Sequence, residues 1–544
     1  MRVLRFAPLV VGLACTVPRY EAVGGKCDDA HACPYGLACV DGVCQVCQHA
    51  AQCGASEVCS AGACTSCSDR VACPRGEQCV GGRCLPACDV SLQSLIDAAD
   101  PNDIVVVPSC VYRETVSIDH PLALAGRAGA EVRGSDVWSG FQASNGLWTK
   151  GTLPPLGGAG CSAGQVCRGP EQVFLDGLAL RQVSSAPKPG EFLVDANRSV
   201  VLADDPTGRV VEVTVRRRWL ETRSDGLTIE GLVLRHAAAG EEGAITNDGY
   251  SGWTLRRCAV SDTASDAVVL SAGSALVVER STISRPGRRG ISAADGSAIR
   301  LSLNRVDEVN VEGFDDGDYA GIRLAAPGVR AEGNEISHAP GSGIDAEGKD
   351  VTLVANRIHH TRGNGISLQY CDGALIEGNA VWETGWGPPP RGWGFDAGLL
   401  LYAVRNVEVR QNRVAWNGDG ITIISHDVGP QWSSMFNIFV HDNVIVGGND
   451  PRDGFWDILL GWLSDDPTTD LYAATSNNRG ARNLYWDTLP EGKGGRFNWG
   501  NNDGITMLSQ FNLTPGEDGG RYLTFAEKDA LLSDAGVPTA PEAH

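Results

Sequence analysis

The sequence predicts an all-β protein, a right-handed parallel β-helix solenoid with short capping helices, preceded by a small disulfide-rich region. Two observations carry the solenoid: a phrase that returns along the chain, and apolar residues that alternate within it. The phrase reads Asn334-Glu-Ile-Ser-His with Gly343-Ile344, Asn356-Arg-Ile-His-His with Gly365-Ile366, Asn379-Ala-Val-Trp-Glu, Asn412-Arg-Val with Gly420-Ile421, then Asn443. Its short intervals are 22 and 23 residues, and the longer ones hold a rung plus an insertion. A unit this short cannot bury its own apolar face, so it stacks on copies of itself. Val351 and Leu353, Ile366 and Leu368, and Ile421 and Ile423 alternate with strand periodicity. Strands of successive coils then pair in parallel about 4.8 Å apart, and one Asn per coil predicts an internal amide ladder. The handedness follows the strong preference of parallel crossovers.

The ends of a solenoid need covers. Leu92, Leu95, Ile96 and Ala99 make one face of a short helix that would plug the first coil. Thr524-Phe-Ala-Glu527 is a capping box followed by Ala530, Leu531 and Leu532, with Gly536 and Pro538 as a stop, which predicts a short final helix. Ser476 to Asn512, with Trp486, Phe497 and Trp499, is expected to wrap the last coils. Between these ends, Val173-Phe-Leu-Asp-Gly-Leu-Ala-Leu-Arg-Gln and Phe192-Leu-Val-Asp with Val200-Val-Leu read as a hairpin insertion over 165–215.

The opening text is Leu92-Gln-Ser-Leu-Ile-Asp-Ala-Ala-Asp, Pro101-Asn-Asp-Ile-Val-Val-Val-Pro, Val111-Tyr-Arg-Glu-Thr-Val-Ser-Ile and Leu122-Ala-Leu-Ala-Gly. It resembles the opening of many right-handed β-helix proteins of the pectin-lyase-like superfamily, a resemblance that covers about 89–465. The resemblance implies the fold. It does not imply an activity, because this fold hosts lyases, hydrolases, epimerases and non-catalytic adhesins. The insertion text is similar to that of β-helix proteins acting on carbohydrate. Glycosidase-type Asn-Thr-Asp and Gly-His-Gly motifs and the epimerase-type Tyr-Gly-Phe-Asp-Pro-His motif are absent, and Trp393-Gly-Phe-Asp396 echoes the last in part.

Cysteines recur with a period of 20: Cys27, Cys33, Cys39 and Cys44; Cys47, Cys53, Cys59 and Cys64; Cys67, Cys73, Cys79 and Cys84. Segments of this size have almost no core, so cross-links must supply their stability. Four cysteines per module allow three pairings, and spacing does not choose among them. Zinc competes, since Cys44/Cys47 and Cys64/Cys67 have CxxC spacing, but these pairs straddle module boundaries and no histidine pattern accompanies them. The modules are loosely similar to EGF and Dickkopf-type repeats, which implies a spacer or binding stalk. Cys88 with Cys110 would tie this region to the next, Cys161 with Cys167 would close a loop, and Cys258 and Cys371 read as buried thiols.

Arg2 and Arg5, the apolar run Phe6 to Leu13, then Ala14-Cys15 read as an export signal, too short to span a bilayer. Cys15 sits as the lipidated cysteine of a bacterial lipoprotein box would, with Gly12 where such boxes carry Leu; a plain secretory peptide is the alternative. The expected organisation is therefore signal at 1–15, cysteine-rich repeats at 16–88, β-helix at 89–465, and a C-terminal wrap with capping helix at 466–544. The protein would be exported, either as an outer-membrane lipoprotein at the cell surface or as an extracellular protein, with the membrane reached only through a lipid anchor. A net charge of −21 argues against general nucleic-acid binding. Arg216, Arg217, Arg218, Arg223, Arg256, Arg257, Arg288 and Arg289 crowd one stretch, either as a face for an anionic polymer or as ordinary strand-exterior arginines.

Aligned on the asparagines, the position four downstream reads Glu308, His338, His360, Glu383, Trp416, and the one before it Asp307, Ser337, His359, Trp382, Ala415. Stacking would gather His338, His360 and Glu383 on one surface, as a general acid and base or as ligands of a divalent metal; solvent-facing turns also collect polar residues by chance. Three insertions of shared phase hold Phe314-Asp315-Asp316, Trp386 with Trp393 and Asp396, and Phe455-Trp-Asp457, and would wall a groove. Trp386, Trp393 and Phe455 suit the C–H faces of sugar rings, and Asp315 and Asp316 offer acceptors. A second column presents Arg323, Asp345, Ser367 and Thr422, ending at His426-Asp427. Polysaccharide lyases of the resembled fold use Arg or Lys as base, often with calcium, so the resemblance makes Arg323 a candidate and calcium a possible cofactor; an ion pair with Asp345 is the plain alternative. Asp396 and His426 complete the catalytic candidates.

Two readings from different classes follow. One is a monomeric, exported protein binding polysaccharide or cell-surface glycan and cleaving it as lyase or glycoside hydrolase; the other is a non-catalytic, surface-anchored structural or adhesion solenoid on a disulfide-rich stalk.

Overall fold

The computed structural model describes the hairpins of the cysteine-rich segment between Ala38 and Pro86, and the chain from Cys88 to Glu542. Outside the described residues of that second stretch lie 158–168, 315–318, 387–392, 427–428, 430–431, 433, 448–457, 467, 489–490, 493–495 and 501–503. The chain divides into two compact units, Met1–Ala87 and Cys88–His544.

In the first unit the period of 20 becomes a row of antiparallel hairpins. Ala38–Val40 pairs with Val43–Gln45, Val58–Ser60 with Ala63–Thr65, and Glu77–Val80 with Arg83–Pro86. Cys47 bonds Cys59, Cys53 bonds Cys64, and Cys73 bonds Cys84. The connectivity left open by spacing is thus first to third and second to fourth within a module. Cys15, Cys27, Cys33 and Cys67 lie outside the described residues, as do Cys161 and Cys167.

The second unit is the solenoid. The helix α1 (Leu92–Asp97) opens it, with Ser91 as N-cap and Leu92, Leu95 and Ile96 buried against the first coil. Cys88 bonds Cys110 beside it. Each coil then runs through three strands. In one coil these are Arg330–Glu332 on a first face, Glu335–Ser337 on a second, and the start of Ile344–Val354 on a third. The second face is a continuous stack of 13 parallel strands. Register keeps apolar residues in line: Ile322, Ile344, Ile366, Leu399, Ile421 and Leu460 stack inside the third face, and all are fully buried.

Between the first and second faces runs the amide ladder. Asn304, Asn334, Asn356, Asn379, Asn412, Asn443 and Asn483 each donate Nδ2–H to the side-chain oxygen of the next, at 2.9–3.0 Å, as far as Asn483. Asn483 donates to Glu517 at 2.7 Å, and Ser281 N–H donates to Asn304 at the other end. The second amide hydrogen of Asn356 goes to the Ala331 carbonyl, so the buried amide is satisfied. The residue before each rung is left-handed, even where it is not glycine: Leu303, Ala355, Gln411, Asp442 and Arg482 all have φ of 53–57°.

Two boundaries differ from the sequence reading. The insertion opens at Ser135, not 165: Ser135–Trp138 pairs antiparallel with Val211–Thr214, and Gln142–Ser144 and Leu147–Lys150 join Val200–Leu202 and Glu191–Val194. Its first strands carry polar text, which hid them, while Phe141, Val173, Phe192, Val200 and Val213 form a core of their own. Parallel coiling also passes 465. Arg479–Ala481, Leu484–Trp486 and Phe497–Trp499 stack on the preceding coil, and Arg521–Tyr522 on the second face after them. The interval from Asn443 to Asn483 is 40 residues, long enough to mask the repeat. Helix α2 (Leu508–Phe511) packs on Phe497, and α3 (Phe525–Asp534) begins at the predicted capping box.

The insertion is seated by buried polar groups. Arg113 and Arg133 both hold Glu212 at 2.7 Å. Ser135 Oγ lies 3.2 Å from Glu212 and 2.8 Å from His236 Nδ1, and Phe174 stacks on that imidazole. Burial pushes His236 down to about 4.

Four outcomes are expected from these contacts. Asn356→Ala takes the buried acceptor away from the Asn334 backbone N–H and one Asn334 Nδ2–H, and the donor away from the Ala331 carbonyl, while Asn379 Oδ1 keeps only the backbone N–H of residue 356; it should cost about 3 kcal/mol or more in urea unfolding. Asn406→Ala, in the solvent-exposed row where Asn437 donates to Asn406 and Asn406 to Asp372, should cost about 0.5 kcal/mol or less. Peptide mapping of the oxidised protein should show the module connectivity repeated as Cys27–Cys39, Cys33–Cys44 and Cys67–Cys79; free thiols at these positions would end the reading of one repeated module. For His236, the folded protein binds its proton less readily than the unfolded chain, so stability is full above pH ~6.5 and falls as pH drops towards 4. The loss reaches up to about 3 kcal/mol, and His236→Gln should flatten that part of a stability–pH curve.

Candidate functional site

The column read from the asparagine phase exists. His236, Asp262, Arg285, Glu308, His338, His360, Glu383 and Trp416 all take φ of 50–63° at the corner between the second and third faces. Consecutive members touch: Arg285 bonds Asp262 at 3.0 Å and meets Glu308 at 3.3 Å, and the rings of His338 and His360 stack at 5.4 Å. His338 Nδ1 lies 2.8 Å from Asp307 Oδ1. His359, one position back, stacks on Trp382 at 4.5 Å and meets His360 through the two Nδ1 atoms at 2.7 Å. Burial, with His360 and His338 nearby, pushes His359 down to about 4.

The C-terminal segment lies over the later part of this column. Arg357 donates to the carbonyls of Ala535 and Gly536, Trp416 Nε1 to that of Pro538, and Glu542 N–H to Glu383. Glu542 also reaches His360 Nε2 at 3.1 Å. Leu532 and Val537 close an apolar layer with Trp382, Trp416 and Val446. Lys528 enters among the rings of Trp416, Trp486 and Phe525, 4.4–5.2 Å from their centroids. Glu383 is consequently 1% exposed, whereas the side chain of His338 is 57% exposed.

The second column forms on the third face. Arg323, Asp345, Ser367, Leu400 and Thr422 follow one another in register. Arg323 bridges Asp345 at 2.7 Å and Glu347 at 3.1 Å, and Gln369 donates to Asp345 and Ser367. This is the ion pair between coils, and it leaves a polar strip. Further along, residues 393–395 lie over the same face. Thr422 Oγ1 donates to the Gly394 carbonyl, and a Cβ at Gly394 would meet Leu463 at 2.7 Å, so only glycine fits at its φ of +83°.

That loop completes a wall of rings which the sequence reading missed. Phe395 lies 5.9 Å from Trp393 and from Tyr402; Tyr402 lies 5.7 Å from Tyr370, which lies 5.5 Å from Trp432. Register supplied the available signal, because Gln369 pairs with Tyr402. At the rim, His426 Nδ1 sits 2.6 Å from Asp465, both side chains more than two-fifths exposed, and the His426 ring is 6.2 Å from Tyr402. Burial, with Tyr370 and Asp465 beside it, pushes the Tyr402 phenol up to about 12, so it is a proton donor at neutral pH. An imidazole oriented by a carboxylate beside a phenol can move a proton to or from a bound molecule.

The remaining candidates fall elsewhere. Trp386 is half-buried and donates to the Trp416 carbonyl at 2.9 Å; Trp393 is 40% exposed; Asp396 is buried, its carbonyl accepting from Asp419. Asp315, Asp316, Phe455, Asp457 and Asp427 lie outside the described residues. The arginine-rich stretch is a set of ion pairs, not an anion face: Arg216 with Asp136, Arg217 with Glu242, Arg218 with Asp248, Arg223 with Glu221, Arg256 and Arg257 with Glu230, Arg288 with Glu241, Arg289 with Asp266. Cys258 and Cys371 are buried free thiols. Among the described residues, the one tight group of three potential metal-ligating side chains is Cys47, Cys53 and Cys64, which are disulfide-bonded; no three carboxylates form a calcium cage there.

Comparison with known proteins agrees with this architecture. The model of the right-handed β-helix region matches residues 314–450. No curated protein matches the sequence. Among solved structures, the complex of XylC with xylose aligns at a TM-score of 0.58 with 13% identity, over 76% of this chain and 83% of that one. A glycoside hydrolase aligns at 0.45 with 12% identity, over 62% and 88%. The A-module of the Azotobacter vinelandii mannuronan C-5 epimerase AlgE4 aligns at 0.35 with 9% identity, over 80% and 95%. At 13% identity the likeness to XylC is one of fold.

Proposed function

We propose that this right-handed parallel β-helix is an exported protein that holds a polysaccharide along its third face, with His426 and Asp465 acting on it as an acid–base pair. The observation that carries the reading is the wall formed by Tyr370, Phe395, Tyr402 and Trp432 beside the polar strip of Asp345, Glu347 and Gln369. Ring faces take the C–H faces of sugars, the strip takes hydroxyls, and both stand on a rigid stack of strands. Asp345 and Glu347 share Arg323, which disfavours them as a pair of hydrolytic carboxylates. Proton transfer then falls to the exposed imidazole–carboxylate pair and the neutral Tyr402 phenol. The reading agrees in class with the β-helix solved in complex with xylose, whose likeness to this chain is one of fold.

Export is supported by the cystines of the N-terminal unit, which persist in oxidising compartments. In this reading Cys15 carries a lipid anchor or the leader is cleaved outright, and the protein acts as a monomer at the cell surface or beyond it.

The test is a polysaccharide panel on the purified protein, following retention, new reducing ends and the absorbance of unsaturated products. Trp432→Ala should weaken retention about tenfold, and His426→Ala should lower turnover by about 10²-fold or more while retention stays. Retention without turnover in the unmodified protein would favour the adhesion solenoid. Loss of turnover in His360→Ala with His426→Ala unaffected would move the chemistry to the His338, His360 and Glu383 column. No retention and no turnover across the panel would overturn the reading.

A further inference from the structure

The cleft beneath helix α3 holds a positive charge without a counter-ion. On the second face one outward position runs in register through Arg357, Ala380, Arg413, Val444 and Leu484 to Arg521. The other arginines of this row are matched: Arg357 donates to the Ala535 and Gly536 carbonyls, and Arg521 meets Glu527 at 2.9 Å. Arg413 is not. Its Nη1 donates to the Gln411 carbonyl at 2.8 Å, its Nε is buried with no acceptor, and among the described residues no carboxylate pairs with it. Burial holds this guanidinium below the usual arginine range, opposed by the field of Asp534, an exposed residue that does not bond to it. A guanidinium drawn out of water without a partner costs stability, and an arriving anion would recover that cost.

Arg413 lines a cleft of about 690 Å³, a size ordinary for a small-molecule site. Leu531 of α3 and Ala535, its C-cap, face Val444 and Leu484 of the strands across it. The acid in its lining is already committed. Arg482 holds both Asp442 oxygens, at 2.9 and 2.6 Å, and His441 Nδ1 lies 2.6 Å from the second. Asp442 and Arg482 therefore cancel, and the unmatched charge of the cleft is that of Arg413. A single guanidinium suits a monoanion; a phosphate dianion would bring a second negative charge towards Asp442 and Asp534 with nothing to offset it.

We propose that this cleft binds a small organic monocarboxylate, its carboxylate on the Arg413 guanidinium and its apolar body between Leu531 and Leu484. With Nη1 spent on the Gln411 carbonyl, Nη2 is the donor left for the ligand. Carboxylate is the anion that a guanidinium takes through charge-assisted hydrogen bonds, and the two leucines keep water from competing for it. This inference does not depend on the third face.

The experiment is titration calorimetry on the full chain, with benzoate as the probe and benzamide as its neutral isostere. One benzoate should bind per chain, and benzamide should bind at least about tenfold more weakly, the loss expected when a charge-assisted contact becomes a neutral one. Arg413→Gln should weaken benzoate about tenfold or more and bring it level with benzamide. Ala535→Leu, which fills the cleft and leaves the guanidinium in place, should weaken both ligands alike. Benzoate should also slow backbone hydrogen exchange over 528–535 in the unmodified protein and not in Arg413→Gln, with far-UV circular dichroism unchanged in both variants. Should Arg413→Gln lose its fold, the benzoate-to-benzamide ratio and Ala535→Leu decide. Absence of benzoate binding, equal affinity for benzamide, or unaltered affinity in either folded variant would overturn the proposal, as would binding of inorganic phosphate in place of benzoate.

Discussion

The ladder of buried asparagines is the constraint on which the solenoid rests. Each carboxamide accepts from the preceding rung and donates to the following one, so seven amides from Asn304 to Asn483 form one hydrogen-bonded column. The intervals that separate them range from 22 to 40 residues, yet the bonds keep the same length. Loop length is therefore uncoupled from axial register. The ladder also explains the left-handed corner residues: Leu303, Ala355 and Gln411 hold a conformation that costs about 1 kcal/mol or more for a residue with a Cβ, because the next residue must deliver its amide inward.

The same uncoupling determines where chemistry can be placed. Insertions leave the coil after the second face, and one of them, carrying Trp393 and Phe395, bends over the third. The strands beneath do not move to accommodate it, and Tyr370, Tyr402 and His426 come together from separate coils. The second face has gone a different way, with helix α3 and the segment after it bound against it by Lys528, Val537 and Glu542.

What the sequence disclosed follows from this division between periodic and singular contacts. The rungs, the alternating apolar residues, the corner column from Glu308 to Trp416 and both capping helices recur at a fixed phase or obey a local rule, so they were legible. The cover over Glu383 was not, since it joins residues 159 positions apart by a contact that has no repeat. Asp465, the partner of His426, stands 39 residues away across a coil that contains an insertion. Tyr370 was hidden because its left-handed backbone, φ of 50°, interrupts the alternation that would have marked it as outward-facing. Ser135 escaped notice because an antiparallel edge of polar residues reads like a loop.

The end of the ladder has an electrostatic consequence. One Nδ2–H of each asparagine from Asn304 onward goes to the next rung, towards the C-terminal coils, while the other goes back to a backbone carbonyl; along the row of rung-to-rung bonds the side-chain dipoles add head to tail as peptide dipoles do in a helix. The positive pole of that row arrives at Asn483, and there the chain places Glu517, wholly buried, accepting from Asn483 and from the Tyr485 hydroxyl. The solenoid thus has a polarity independent of its backbone, terminated by an acid. A carboxamide such as glutamine in that place would close the last hydrogen bond without answering the field that the six bonds behind it align.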